Sequence, residues 1–127
     1  MTPAPLFGGI EAGGTQFVLG VGHGPDMIVA RTTIPTTAPD ETIARCIDWF
    51  GGQPQFDALG IASFGPLILD PARPDYGCIG ATPKPLWSGF PMLTRLADGL
   101  SLPTMIDTDV NGAALAEHSW GAARACE

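Results

Sequence analysis

Leu6-Phe7-Gly8-Gly9-Ile10-Glu11-Ala12-Gly13-Gly14-Thr15-Gln16-Phe17-Val18-Leu19-Gly20-Val21 is the stretch on which the fold turns. Two β-prone runs, Leu6 to Ile10 and Gln16 to Val21, flank Glu11-Ala12-Gly13-Gly14-Thr15, the spacing of a hairpin with a glycine-rich turn. A third run, Met27 to Ile34, continues the meander.

From Asp40 the period changes. Ile43, Ile47 and Phe50, with Cys46 beside them, share one helical face; Pro39 suits the first helical position and Gly51-Gly52 ends the segment. Ala58 to Ala62 is a short apolar run of the buried-strand type, and Ser63-Phe64-Gly65-Pro66 must turn the chain after it. Leu67 to Ser88, rich in proline and polar turn residues, is expected to be a long ordered loop, which in a compact domain tends to be functional. A second helix is predicted over roughly Phe90 to Gly99 through Leu93, Leu96, Ala97 and Leu100. A last strand follows at Thr104 to Ile106, running into Asp107-Thr108-Asp109, and Asn111 to Trp120 reads as a third helix. The resulting order, β-β-β-α-β-α-β-α, is a meander followed by crossover units parallel to their neighbours. It is the order of an α/β ribonuclease-H-like, or actin-like, lobe.

Composition narrows the function classes. The 127 residues suit one domain. Hydrophobic residues make up 45% and charged residues 15%, with a mean hydropathy of +0.20, which excludes a disordered chain and suggests an apolar surface that more protein would cover. A formal charge of −7 with only six Lys and Arg argues against nucleic-acid binding, which needs clustered cations. Phosphates can still be held by backbone N–H groups and a metal ion. Cys46, Cys78 and Cys126 are widely spaced and form no C-x-x-C pair, so they are expected to be reduced thiols. Neither a signal-like N-terminus nor a run of apolar residues long enough to span a bilayer is present, and a cytoplasmic protein is expected.

Several residues could carry chemistry. In the turn, Gly13 and Gly14 allow close backbone approach to a phosphate and Thr15 adds a hydroxyl, although alone the pair reads first as a plain tight turn. Asp109 follows the last strand and precedes a helix, where open α/β sheets place ligands, and could act as a general base; the same position suits a helix N-cap. Asp107 is the competing carboxylate, because strand alternation puts both on one side. The loop Ala81-Thr82-Pro83-Lys84-Pro85-Leu86-Trp87 combines a hydroxyl, a cation and an aromatic ring that suit a carbohydrate, or else Lys84 is an exposed loop charge and Trp87 a core anchor. His23 and His118 stand alone and are expected to be surface or structural, and no metal ligand is assigned.

Taken in order, Gly8 to Val18, Ile61-Ala62-Ser63-Phe64-Gly65-Pro66-Leu67, Tyr76-Gly77-Cys78-Ile79, Thr82-Pro83-Lys84-Pro85 and Asp107-Thr108-Asp109-Val110-Asn111-Gly112-Ala113-Ala114-Leu115 resemble the fructokinase branch of the ROK (repressor, open reading frame, kinase) sugar kinases. The resemblance implies an actin-like ATPase lobe, residues 1–127 forming the N-terminal lobe, with a C-terminal lobe absent from the sequence. It implies ATP-dependent phosphorylation of a hexose, D-fructose to fructose 6-phosphate before mannose or glucose, with ATP and Mg²⁺ as cofactors. It places the catalytic base at Asp109, the phosphate turn at Gly13, Gly14, Thr15 and Gln16, and sugar contacts at Gly65, Thr82, Lys84, Thr108 and Asn111. Gln16 stands where the family commonly has Lys, and Thr108 where many members have Asn. The family's zinc site and most homodimer contacts would lie in the other lobe, so the 127-residue chain alone is expected to be inactive. A non-catalytic sugar-binding module or an inert fragment is the alternative; a repressor is disfavoured, because only seven residues precede Gly8 where a helix-turn-helix domain would stand.

Overall fold

Phe7–Ala12 (β1) and Ala58–Ser63 (β4) are buried almost without interruption, whereas Gln16–Gly24 (β2) alternates and Met27–Pro35 (β3) is largely exposed. That pattern assigns β1 and β4 to the interior of a sheet and β3 to an edge. The computed structural model, which describes residues 5–24, 27–84 and 86–108, has this arrangement: a five-stranded sheet in the order β3-β2-β1-β4-β5, with β5 at Thr104–Asp107. The first three strands form an antiparallel meander, while β4 and β5 run parallel to β1. The third helix expected over Asn111 to Trp120 lies outside the described residues, as do Asp109 and Asn111.

Register is locked by a row of branched side chains. Leu19, Ile10, Ile61 and Ile106 are consecutive partners across β2, β1, β4 and β5, and all four are buried. On the same face, Ile43, Cys46 and Phe50 of helix α1 (Pro39–Gly51) and Met92 and Leu96 of helix α2 (Met92–Leu100) join these residues in one core. A one-residue slip of β4 would move its apolar set to the opposite face, so burial of this row specifies the pairing.

Both helices start as their sequences direct, with one shift. Pro39 occupies the first turn of α1 and Asp40 and Glu41 complement its dipole. Ala38 cannot cap with its side chain; instead the Thr37 N–H donates to Thr42 Oγ1 (3.0 Å) and the Thr37 hydroxyl donates to Glu41 Oε1 (3.1 Å). Helix α2 begins at Met92, two residues later than expected, because the residue before a proline is steered out of helical geometry and Phe90 precedes Pro91. Phe90 packs on Trp87 instead, with ring centroids 5.2 Å apart. Arg95 ties the helices together, 2.8 Å from Asp40 and 5.3 Å above the Phe90 ring.

Two outcomes follow from this core. Ile61→Ala, at the centre of the row, is expected to lower the unfolding free energy by about 3 kcal/mol in denaturant titration, against less than about 0.5 kcal/mol for Val29→Ser on the exposed edge strand. Burial pushes the Cys46 thiol up to about 12 from 9.0. Its neutral form therefore favours the fold fully below pH 9, and stability should fall as pH rises from 9 towards 12, because the unfolded chain then releases the proton first. A Cys46→Ala variant should lose that alkaline slope, and an unchanged slope would assign it to another group.

Candidate functional site

Parallel pairing aligns strand ends. Ala12 pairs with Ser63 and Ala62 with Asp107, so the C-terminal ends of β1, β4 and β5 lie side by side at one edge of the sheet. Loops leaving such an edge converge on one region, which is where open α/β sheets receive ligands. The glycine turn leaves β1 at this edge, Phe64-Gly65-Pro66 leaves β4, and Thr108 leaves β5.

The turn is tighter than the sequence suggested, since β1 runs through Glu11 and Ala12 and leaves only Gly13, Gly14 and Thr15 to reverse the chain. The Gly13 N–H donates to the Gln16 carbonyl (2.9 Å) and closes the hairpin. A β-carbon on Gly13 would stand 2.8 Å from that carbonyl oxygen, so the hairpin itself requires glycine here. At Gly14 a β-carbon would meet nothing within 4 Å. Gly14 and Thr15 are exposed, and neither their N–H groups nor the Thr15 hydroxyl has a hydrogen-bond partner among the described residues. Two backbone donors and a hydroxyl at the tip of a turn are groups of the kind that can hydrogen-bond an anion. Gln16 is exposed at the start of β2.

On the β4 side, the Phe64 N–H donates to the Ala12 carbonyl (2.8 Å), carrying the pairing one residue past the strand. Gly65 lies against Thr108, whose Cγ2 would be 3.9 Å from a β-carbon at Gly65, so two residues singled out as sugar contacts are neighbours. The expected long loop is ordered by its own backbone. Gly80 donates to the Pro66 carbonyl (2.7 Å), Ile68 to Cys78 (3.0 Å) and Gly77 to Ile68 (2.8 Å), and Ile79 and Gly89 are joined to Phe90 and Ile79 in turn. Gly77, at φ 84°, fits under Leu93 with no room for a β-carbon. Thr82 is thereby held two residues beyond the Gly80–Pro66 contact, and its backbone is bracketed by Ser88 Oγ, which accepts from the Thr82 N–H and donates to the Thr82 carbonyl (3.0 Å each). The Lys84 N–H donates to Thr82 Oγ1 (3.4 Å), while its side chain forms no ion pair among the described residues.

Of the two readings of Trp87, the core anchor is correct. Its side chain is fully buried among Phe17, Phe64 and Phe90, with centroids 5.7, 5.5 and 5.2 Å away, and Nε1 donates to the Thr37 carbonyl (3.0 Å). No face of the indole is left for a sugar. Asp107 is half-buried, and its Oδ1 accepts from the Thr108 N–H (2.6 Å). Glu11, Ala62 and Asp107 form one register row, so two carboxylates flank a small residue on the sheet face opposite the helices. His23, as expected, is structural: Nδ1 lies 2.8 Å from the Pro5 carbonyl.

Sequence reasoning passed over Thr36 and Thr37, which connect β3 to α1 and touch both halves of the edge. Thr36 donates through N–H to the Thr15 carbonyl (2.9 Å) and through Oγ1 to the Gly13 carbonyl (2.8 Å). The signal available was a pair of hydroxyl residues just ahead of a helix-starting proline. No helix among the described residues is long and apolar enough to cross a membrane, and no cluster of three or more His, Cys, Asp or Glu among them could hold a metal ion.

Known proteins share the family and the fold of this chain. The model of the ROK family matches residues 7–127. A fructokinase of Zymomonas mobilis is 44% identical over 94% of this chain and 41% of its own length. Among solved structures, a ROK hexokinase from Thermus thermophilus superimposes with a TM-score of 0.68 at 24% identity, covering 89% of this chain and 38% of that one. A ROK family glucokinase from Streptomyces griseus, in complex with glucose and AMPPNP, gives 0.67 at 18%, covering 82% and 33%. The chain thus spans about two fifths of the length of the curated relatives it matches; the structural likeness is one of fold.

Leu86, next to Trp87, has φ 69° and is 76% exposed. It bears a left-handed backbone cost without a packing return. Leu86→Gly is expected to raise the unfolding free energy by about 0.5–1 kcal/mol, read as a higher denaturant midpoint at unchanged slope; a lower midpoint would mean that the exposed side chain contributes packing.

Proposed function

The chain belongs to the ROK family, and from that premise we propose that it is the N-terminal lobe of an ATP-dependent sugar kinase that transfers the γ-phosphoryl group to a hexose, D-fructose first. The observation that carries the reading is the sheet edge at which the Gly14 and Thr15 N–H groups, without partners among the described residues, meet the Gly65–Thr108 contact and the end of β5. The 44% identity to a named fructokinase supports fructose, and the glucose and AMPPNP held by a glucokinase of the same fold support a hexose and ATP.

In this reading Gly13, Gly14, Thr15 and Gln16 form the phosphate turn, with the Gly14 and Thr15 N–H groups as donors. Gly65, Thr82, Lys84, Thr108 and Asn111 orient the sugar. Asp109 takes the proton of the attacking hydroxyl as its oxygen bonds to the γ-phosphorus and the bond to ADP breaks, a role worth about 10²–10⁴ in rate. Asp107 is the weaker candidate for base, because one of its oxygens already accepts from Thr108. Mg²⁺ takes oxygen ligands and keeps much of its water and phosphate shell, which suits the carboxylates of Glu11 and Asp107 flanking Ala62. When bound, the ion would neutralise phosphate charge. A cytoplasmic location and a homodimer of the longer protein are part of the same reading.

A second reading, a sugar-binding module without phosphoryl transfer or an inert fragment, draws on the chain's two-fifths share of its relatives' length. Titration calorimetry of the 127-residue chain with fructose and then MgATP, beside a coupled assay for ADP release, separates them. Binding without turnover supports an acceptor lobe, turnover supports a complete site, and no binding of either ligand sinks the kinase reading for this chain. In a chain extended to the relatives' length, Asp109→Asn should lower turnover by about 10²–10⁴ with sugar affinity nearly unchanged; equal activity would move the base to Asp107, for which Asp107→Asn is the control.

A further inference from the structure

Thr36 joins two carbonyls of the glycine turn to the β3–α1 connection. Its Oγ1 donates to the Gly13 carbonyl at 2.8 Å and its N–H donates to the Thr15 carbonyl at 2.9 Å. A trans peptide points its C=O and its N–H in opposite directions. Fixing the Gly13 carbonyl towards Thr36 therefore turns the Gly14 N–H away from it, at an exposed residue whose N–H has no hydrogen-bond partner among the described residues.

The brace is itself fixed. Thr37 accepts the Trp87 indole N–H through its carbonyl (3.0 Å) and is held at the start of α1 by Thr42 and Glu41. Trp87 is fully buried and carries the loop that contains Thr82 and Lys84. One rigid segment thus contacts the turn on one side and the anchor of the sugar-side loop on the other.

We propose that Thr36 is a positioning residue, which through its hydroxyl holds the Gly13–Gly14 peptide so that the Gly14 N–H faces an incoming phosphate. The proposal deepens the kinase reading and rests on its assignment of the phosphate turn. With a glycine on both sides, the Gly13–Gly14 peptide has little intrinsic preference against flipping, and the Thr36 hydroxyl supplies the missing constraint. Serine can supply the same bond and valine, of the same shape, cannot.

The experiment uses the ¹⁵N-labelled 127-residue chain with MgAMPPNP as probe, following the Gly14 and Thr15 amide resonances, and calorimetry with MgAMPPNP and with fructose. Thr36→Val is expected to weaken MgAMPPNP binding about five- to tenfold, the worth of one hydrogen bond, leave fructose affinity unchanged and shrink the Gly14 response. Thr36→Ser is expected to stay within about twofold of the native chain. Native-like MgAMPPNP binding by Thr36→Val, or an equal loss for both ligands, overturns the positioning role and leaves the phosphate turn standing. A native chain whose Gly14 and Thr15 resonances ignore MgAMPPNP overturns the phosphate-turn assignment, and this proposal with it.

Discussion

The parallel pairing of β1 with β4, locked by Ile10 against Ile61, is the constraint on which the rest of the molecule depends. Both strands bury their apolar side chains and leave Glu11 exposed on the face away from the helices, so neither can slip without exposing apolar side chains or burying Glu11 against the helices. Because Ala12 and Ser63 end in register, the turn after β1 and the loop after β4 leave the sheet together. The Phe64 N–H then bonds the Ala12 carbonyl and fixes the start of that loop to the end of β1. The geometry of the edge is thus inherited from the core, and changes in core volume near Ile61 would be felt at Gly65 as well as in stability.

A second dependence runs through Trp87. The described residues of the stretch from Leu67 to Ser88 hold one isolated bridge, Leu67 with Ile79, and no helix or longer strand, so their many backbone polar groups must be satisfied within the loop or by water. The hydrogen bonds among Pro66, Ile68, Cys78, Gly80 and Phe90 do this for one part, and the buried indole fastens the other to Phe17, Phe64 and the Thr37 carbonyl. An aromatic ring that could have formed a sugar platform is used to make the loop rigid. The polar groups left at the surface of that loop, Thr82 and Lys84, are then presented on an ordered frame.

The elements that local pattern dictates were legible in the sequence. The hairpin followed from two β-prone runs around Gly13-Gly14, α1 from the spacing of Ile43, Cys46, Ile47 and Phe50 behind Pro39, and β4 from its unbroken apolar run. The start of α2 was missed by two residues because helical periodicity counted Phe90, while the steric effect of Pro91 on its predecessor decided the boundary. At the edge, Gly65 and Thr108 could be named from motif order, but their contact depends on β4 and β5 being neighbours, which no local window contains. The same holds for Thr36, whose partners lie more than twenty residues away, and for the Trp87–Thr37 bond across fifty. Such contacts exist only once the sheet has set the register, and a sequence pattern carries them weakly because Thr and Trp have many other uses.

Charge completes the argument for how an acidic chain could serve a polyanion. With a net charge of −7 and Gln16 at the turn, the long-range field repels free phosphate, and attraction must come from short-range donors. The N–H groups of Gly14 and Thr15, which have no partners among the described residues, act over hydrogen-bond distance, where direction matters more than net charge. Glu11 and Asp107, at the same edge, would oppose a bare triphosphate and favour one that arrives with a divalent cation. On the proposed reading, then, the acidic row selects the metal-bound nucleotide over the free one, and a rigid turn matters more here than in a turn with a lysine, because Gln16 brings no cation that could follow a misplaced phosphate.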